Sequence, residues 1–382
     1  MAVYNLYWST YGGGEQVAGA IAEALAADHE VVLLGPDPID LDVTRARLAV
    51  DLSGCGYQKV VDDLTASAAS ADFDLFINTT YCSSALNLAP AGLYYVHFPG
   101  PPPSRRQRAV QATSRRLAAV LQGAGNPRLQ RAHAGFERRS NRIEWAGSYT
   151  TFLSNSAFTA GWVTRMWQVP SDILHPPVRA EVQPGAKAPM IASVGRFFDP
   201  SYGHCKKQLD LVQAFVELER QGAGEWRLEL VGGADAASRE YALAVRRAAI
   251  GHAVGVHFNA PRSLVRDTLA AAGIFWHGGG FGEDPDTHPD RFEHFGIAVV
   301  EAMAAGAVPI VFGAAGPAEI VRHGVDGFHW HTPAELVHLT RDLITDPDRL
   351  AAMSVSAQAR AAEFSQEVFT AGLRRAAAAA LG

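Results

Sequence analysis

The 382-residue chain is poor in lysine and cysteine and has no long uninterrupted apolar run. Its three cysteines, Cys55, Cys82 and Cys205, are odd in number, far apart and in no metal-ligand spacing. That excludes a disulfide framework, points to a reducing compartment, and leaves all three as structural residues. The longest apolar stretch, about residues 308–318, is broken by Pro309 and Pro317, so no segment is expected to span a bilayer. The chain enters a strand-like run at once, without the basic, apolar and small-residue regions of a secretory signal, and the expected location is cytoplasmic. No Gly-x-Gly-x-x-Gly follows the first strand-like run, which argues against a dinucleotide oxidoreductase.

What is present is a globular composition, 48% apolar and 19% charged, at a length that suits two domains. The net charge of -6 is unevenly spread. Residues 104–143 hold ten arginines (Arg105, Arg106, Arg108, Arg115, Arg116, Arg128, Arg131, Arg138, Arg139 and Arg142) against one acid, Glu137, a local charge of +9. An anionic partner explains the missing acids: an anionic membrane surface reached through Arg105 to Arg142, or a phosphorylated or lipid-linked acceptor. The plainer reading is a solvated helical face. Nucleic acid is disfavoured by the acidic whole and by the lack of an aromatic stacking series.

Short β-branched and aromatic runs at 3–8, 29–34, 73–78, 93–97 and 151–154 alternate with helix-compatible segments. The same grammar returns at 191–194, 228–231, 254–258, 274–276 and 308–312, after a polar, turn-rich stretch at 179–189. Alternation of this kind predicts α/β architecture with two doubly wound parallel sheets facing across a cleft. The expected division is 1–180 and 185–364, with a final helix, 365–382, packing back on the first domain. Ligands in such sheets lie beyond the carboxyl ends of the strands. Gly12-Gly13-Gly14, Arg196, Gly232 and Glu293 all follow strands and are expected to line the cleft.

Two glutamates eight positions apart carry the chemistry. Glu301 sits among Val299, Val300 and Met303, and a carboxylate in apolar surroundings requires polar partners. The two hydroxyls of a ribose would satisfy its two oxygens. Glu293 precedes that helix beside His294 and Gly296, where free N–H groups and the positive dipole end suit an anion. Gly12, Gly13 and Gly14 likewise allow close backbone approach at a helix start, though an ordinary tight turn reads the same way.

Together with Ser193-Val194-Gly195-Arg196, Lys206 ahead of Ala214-Phe215, Val231-Gly232-Gly233, Tyr95-Val96-His97-Phe98-Pro99, Asn155-Ser156-Ala157-Phe158-Thr159 and Gly316-Pro317-Ala318-Glu319-Ile320-Val321, this segment resembles the family 4 retaining glycosyltransferases of the GT-B fold, glycosyl transferases group 1. The His-Phe-Pro context and Trp276-His277 are similar to enzymes that mannosylate lipid-linked oligosaccharides. The resemblance implies two Rossmann-like domains, an acceptor side first and a nucleotide-sugar side second. It implies transfer of a hexose, mannose or glucose type, from GDP-mannose, UDP-glucose or a related donor to a glycan, lipid-linked or small-molecule hydroxyl, with retention and without metal or cofactor. His97, Arg196, Lys206 and Glu293 would be catalytic. Gly12 to Gly14, Arg196, Lys206, adjacent Lys207, Gly232, His294, Phe295, Gly296, Ile297 and Glu301 would hold the donor. A same-fold epimerase or sugar phosphorylase, or an inactive nucleotide-sugar-binding subunit, is the alternative.

Physical chemistry supports the cations independently. A departing diphosphate is stabilised by positive charge, and an arginine fork with a lysine point charge can do what a divalent metal does elsewhere. The acidic group Glu283, Asp284, Asp286, His288 and Asp290 contains an Asp-x-Asp, but that spacing occurs four times in the chain and reads as loop rather than metal site.

Overall fold

The computed structural model describes residues 1–100, 104–123, 126–140, 144–179, 185–203 and 205–382. The first sheet contains β1 (Ala2–Tyr4), β2 (Val32–Gly35), β3 (Gly56–Lys59), β4 (Leu75–Asn78), β5 (Ala91–Val96), β6 (Thr151–Ser154) and β7 (Asp172–Ile173), in the order β3-β2-β1-β4-β5-β6-β7. The second contains β8 (Ala188–Val194), β9 (Arg227–Gly232), β10 (Val254–Phe258), β11 (Ala272–His277), β12 (Val308–Phe312) and β13 (Phe328–Trp330), in the order β10-β9-β8-β11-β12-β13. Every pairing between these strands is parallel. Each sheet therefore reverses its strand order beside its own first strand, between β1 and β4 and between β8 and β11. A crevice opens at such a reversal.

Central strands are mostly apolar because helices cover both faces, as parallel sheets require. In the first domain, Val3, Leu33, Ile77 and Leu93 pack with Val17, Ile21 and Leu25 of the helix Gly13–Ala26. Phe369, Leu373 and Ala377 of the helix Gln366–Leu381 join this core, and Arg374 pairs with Asp28 at 2.6 Å. Each large buried side chain contributes about 1.5–3 kcal/mol of burial. In the second domain Ile191, Leu228, Ile274 and Ile310 pack with Leu211 and Phe215, while Val299, Val300 and Met303 fill the opposite face.

The alternation of strands and helices identifies the fold class, and the structure bears it out. Details differ for local reasons. The strand expected at 3–8 stops at Tyr4, since Trp8 turns inward and its indole N–H donates to Leu34 O at 3.1 Å. The strand β3 goes unseen in the sequence because all four of its residues are exposed and show no apolar alternation. Part of the 179–189 connection, and Arg142 of the arginine-rich segment, lie outside the described residues, as do the side chains of Arg138 and Arg139. The chain crosses between sheets twice, and the two crossings meet where Val178 N donates to Phe364 O at 2.8 Å.

Candidate functional site

The strand β8 ends in Val194 and runs into Gly195 and Arg196, beside the end of β9 at Gly232. A Cβ on Gly232 would lie 1.9 Å from Gly195 O, so only glycine permits these strand ends to meet. They form one wall of a cavity of about 740 Å³, together with Glu301, Asn259, Arg262 and Arg266. The opposite wall comes from the first domain through Tyr11, Arg47 and Arg179. Glu301 is half-buried: while Val299, Val300 and Met303 on its helix Ile297–Ala304 are fully enclosed, it lines the cavity. Arg196 is exposed beside it, with no carboxylate partner among the described residues, its guanidinium 5.6 Å from the Phe198 ring.

Lys206 packs its aliphatic stem against Gly195, where a Cβ would lie 2.7 Å from Lys206 Cγ. Its ammonium donates to Glu293 Oε2, the same oxygen that His277 Nε2 meets at 3.2 Å. Burial would raise the Glu293 carboxyl, but Lys206 and His277 overcome that and hold it well below the ordinary carboxylate range. His277 is itself pulled below its ordinary value by burial, against the opposing pull of Glu293. Adjacent Lys207 faces elsewhere. Its left-handed backbone (φ 58) turns the side chain to Glu283 Oε1 at 2.7 Å, in a pair only 10% and 12% exposed.

On the first-domain side, the helix Gly13–Ala26 starts after Gly12, whose N–H donates to Glu15 Oε2 at 2.8 Å; Thr10 Oγ1 donates to the same oxygen at 2.6 Å. The buried Glu15 thereby closes the loop from below, and the first helical turn still carries N–H groups without intrahelical partners. Methyl groups added at Gly12, Gly13 and Gly14 would stand 3.4 Å from Arg196 Nη2, 3.1 Å from Ile297 Cδ1 and 3.4 Å from His97 Nε2. One tripeptide thus abuts three of the expected site residues, two of them on the other domain. His97 Nε2 lies 3.1 Å from Thr79 O, and burial lowers its pKa although Glu15 opposes this. A neutral ring there donates to the Thr79 carbonyl through Nε2.

The segment before the helix Ile297–Ala304 also joins the domains. His294 stacks on Phe98, and Phe295 is buried against His175 and Phe364, with ring centroids 5.5 Å and 5.6 Å away. Gly296 has φ 115 and ψ 58, a conformation that favours glycine and lets the chain turn into the helix. Glu319 reaches across to the first domain, accepting from Ala157 N at 2.7 Å and Phe158 N at 2.6 Å at the start of the helix Ala157–Trp167. A carboxylate is well placed at a helix N-terminus.

The acidic group is engaged by cations and backbone. Glu283 holds Lys207 and Arg291, Asp284 accepts from Asp286 N at 2.9 Å, and Asp286 lies 3.6 Å from Arg165. The described arginines of residues 104–131 lie on two helices, Arg105–Leu121 and Pro127–Ser140, and do not line the cavity. Sequence reasoning missed Tyr11, Arg47, Arg179, Asn259, Arg262 and Arg266 around that cavity. The last two carried a signal, being four apart at a helix start directly after a strand.

Residues 177–360 match the family model described as Glycosyl transferases group 1. Among curated proteins, the GDP-Man:Man(3)GlcNAc(2)-PP-Dol alpha-1,2-mannosyltransferase of Dictyostelium discoideum is 38% identical over 79 residues, 20% of this chain and 16% of that protein. The D-inositol 3-phosphate glycosyltransferase of Thermobispora bispora is 35% identical over 97 residues, 23% of each chain. These matches span less than a quarter of the relatives' length. Among solved structures, Anabaena HepE in complex with UDP superposes with a TM-score of 0.68 over 99% of both chains at 15% identity. Sucrose-phosphate synthase from Thermosynechococcus elongatus gives 0.65 over 98% of this chain and 97% of that one, at 16% identity. The fold is GT-B, and residues 177–360, just under half of the chain, match the glycosyl transferases group 1 family.

Proposed function

We propose that the protein transfers a hexose from a nucleoside diphosphate sugar to a hydroxyl acceptor, with retention at the anomeric carbon and without a metal ion. The observation that carries this reading is the pair of cations flanking Gly195 at the end of β8, Arg196 at the cavity and Lys206 behind it, set between Glu293 and Glu301. Glu301 accepts from the ribose hydroxyls. Arg196 and Lys206 take the diphosphate, the guanidinium as a fork and the ammonium as a point charge, and stabilise it as it leaves. Lys206 exchanges its bond to Glu293 for phosphate oxygens, which frees Glu293 to accept from a sugar hydroxyl while His277 keeps that carboxylate oriented. The first turn after Gly12 and the His97 ring form the acceptor-side wall.

The acceptor attacks from the face that the diphosphate leaves, and the departing phosphate oxygen takes the acceptor proton. No separate protein base is needed, in keeping with a His97 ring held neutral and hydrogen-bonded to Thr79. The donor carries mannose or glucose, on GDP or UDP. The arginine-rich segment adds positive charge to the acceptor domain, which suits an anionic acceptor or surface, and the acceptor is a glycan, a lipid-linked sugar or a small hydroxyl compound.

Transfer from a panel of nucleoside diphosphate hexoses, followed by NMR of the new glycosidic bond, tests the whole reading. An anomeric configuration matching the donor is expected, unchanged by EDTA. An inverted product removes retention, and full loss on chelation removes metal independence. If no donor is bound or turned over, the assignment falls.

A further inference from the structure

The exposed apolar side chains of the helix Arg105–Leu121 have no role in glycosyl transfer itself. The helix begins eight residues after His97 and packs on the helix Pro127–Ser140, burying Ser114 and Ala118. Its other faces are open to solvent. Val110 is 48% exposed, Leu117 40% and Val120 80%. With Thr113 they recur at steps of three, four and three residues, which keeps them in one stripe along the helix. Arg105, Arg108 and Arg116 are exposed and fall on the adjoining side, Arg106 is exposed at the N-terminal end of the stripe itself, and the helix contains no aspartate or glutamate. Leu129, 44% exposed, adds to the apolar surface from the second helix, where Arg128 and Arg131 are also exposed.

We propose that this helix is a docking surface for an anionic lipid bilayer, with Val110, Leu117 and Val120 entering the boundary between headgroups and acyl chains and the flanking arginines seated on headgroup phosphates. Charge complementarity selects the occupant. An acid-free helix repels other cationic surfaces and matches a phosphate layer. The stripe separates a bilayer from a soluble phosphorylated compound, because the soluble anion uses the arginines but gains nothing from an exposed valine. An apolar face beside a strongly cationic one is what an interfacial helix presents. Because the helix begins only eight residues after His97, docking sets the first-domain wall of the cleft close to the lipid surface.

The test is sedimentation of the full chain with phosphatidylcholine vesicles, with and without phosphatidylglycerol, at low salt and at about 0.5 M salt, where surface attraction is screened. Two double variants separate the contributions: Leu117→Gln with Val120→Gln, and Arg105→Gln with Arg108→Gln. All four positions are exposed, so each variant should unfold at the wild-type temperature and bind nucleotide as the wild type does. Selective binding to the anionic vesicles is expected, weakened by salt, with either variant requiring about tenfold more lipid for half-binding. Absence of binding to anionic vesicles at low salt overturns the proposal. So does equal binding to both vesicle types. A stripe variant that binds like the wild type while the arginine variant fails would leave only a site for soluble anions or passive adsorption, and would overturn insertion.

Discussion

His294 lies parallel to Phe98, with ring centroids 3.9 Å apart and planes 3° from coincidence, so the segment that leads into the helix Ile297–Ala304 rests directly on the residues that follow His97 in the other domain. The glycine loop meets Ile297 and Arg196 in the same region, and Glu319 caps the helix Ala157–Trp167 from across the cleft. Closure of the two domains and assembly of the site are therefore one event.

Replacing either ring should weaken that assembly. Phe98→Ala and His294→Ala are each expected to lower kcat/KM, and the double variant to lose less than the sum. The shortfall should be about 0.5–1.5 kcal/mol, the usual worth of an offset ring pair beyond its buried area. Strict additivity in a double-mutant cycle on kcat/KM would show that the stack does not couple the domains.

Glu301→Ala should remove stabilisation by the nucleoside diphosphate alone. Hydrogen bonds to a charged group are worth about 1.5–3 kcal/mol, so nucleotide affinity should drop by about tenfold to a hundredfold. Thermal shift with the free nucleotide reports this, and unchanged shifts would detach Glu301 from the ribose.

The two adjacent lysines should respond differently. Lys206→Ala is expected to abolish transfer and, by leaving Glu293 with only His277 beside it, to cost less stability than the loss of Lys207. Lys207→Ala leaves Glu283 enclosed with only Arg291 beside it, and breaking such a buried pair costs about 3–5 kcal/mol of stability. Unfolding midpoints and turnover of the two variants separate the roles; exchanged phenotypes would reverse the assignment.

Acidification should destabilise the fold in two stages. His97 and His277 sit below their ordinary value of 6.5, so the unfolded chain binds more protons than the folded one as pH falls through that value. Stability present above pH 6.5 is lost on the way down. Glu293, held well below 4.5, acts in the same direction once pH passes 4.5. Unfolding midpoints measured from neutrality to pH 4 should fall throughout, and a maximum near pH 5 would contradict this account.

The fold class is legible because parallel strands buried on both faces leave apolar runs, and because turn residues punctuate them at the spacing of strand and helix. The exposed strand β3 leaves no such trace. Local motifs locate the ends of β8 and β9 and the start of the helix Ile297–Ala304, since each depends on near neighbours in the chain. The register of Lys206 against Lys207 depends on one left-handed backbone angle, which composition does not reveal. Tyr11, Arg47 and Arg179 share a cavity with Glu301, and Glu319 meets Ala157, only through the meeting of two domains. Pairings of that separation carry no periodicity, so a single sequence does not display them.

The helix Gln366–Leu381 places Phe369, Leu373 and Ala377 in a core otherwise built from residues before 175. During synthesis the first domain therefore waits with part of its apolar face uncovered until the whole second domain has been made. Its maturation is the last step of the chain's folding rather than the first. Clipping those sixteen residues would wound the first domain and leave the second, nearer to them in sequence, largely intact.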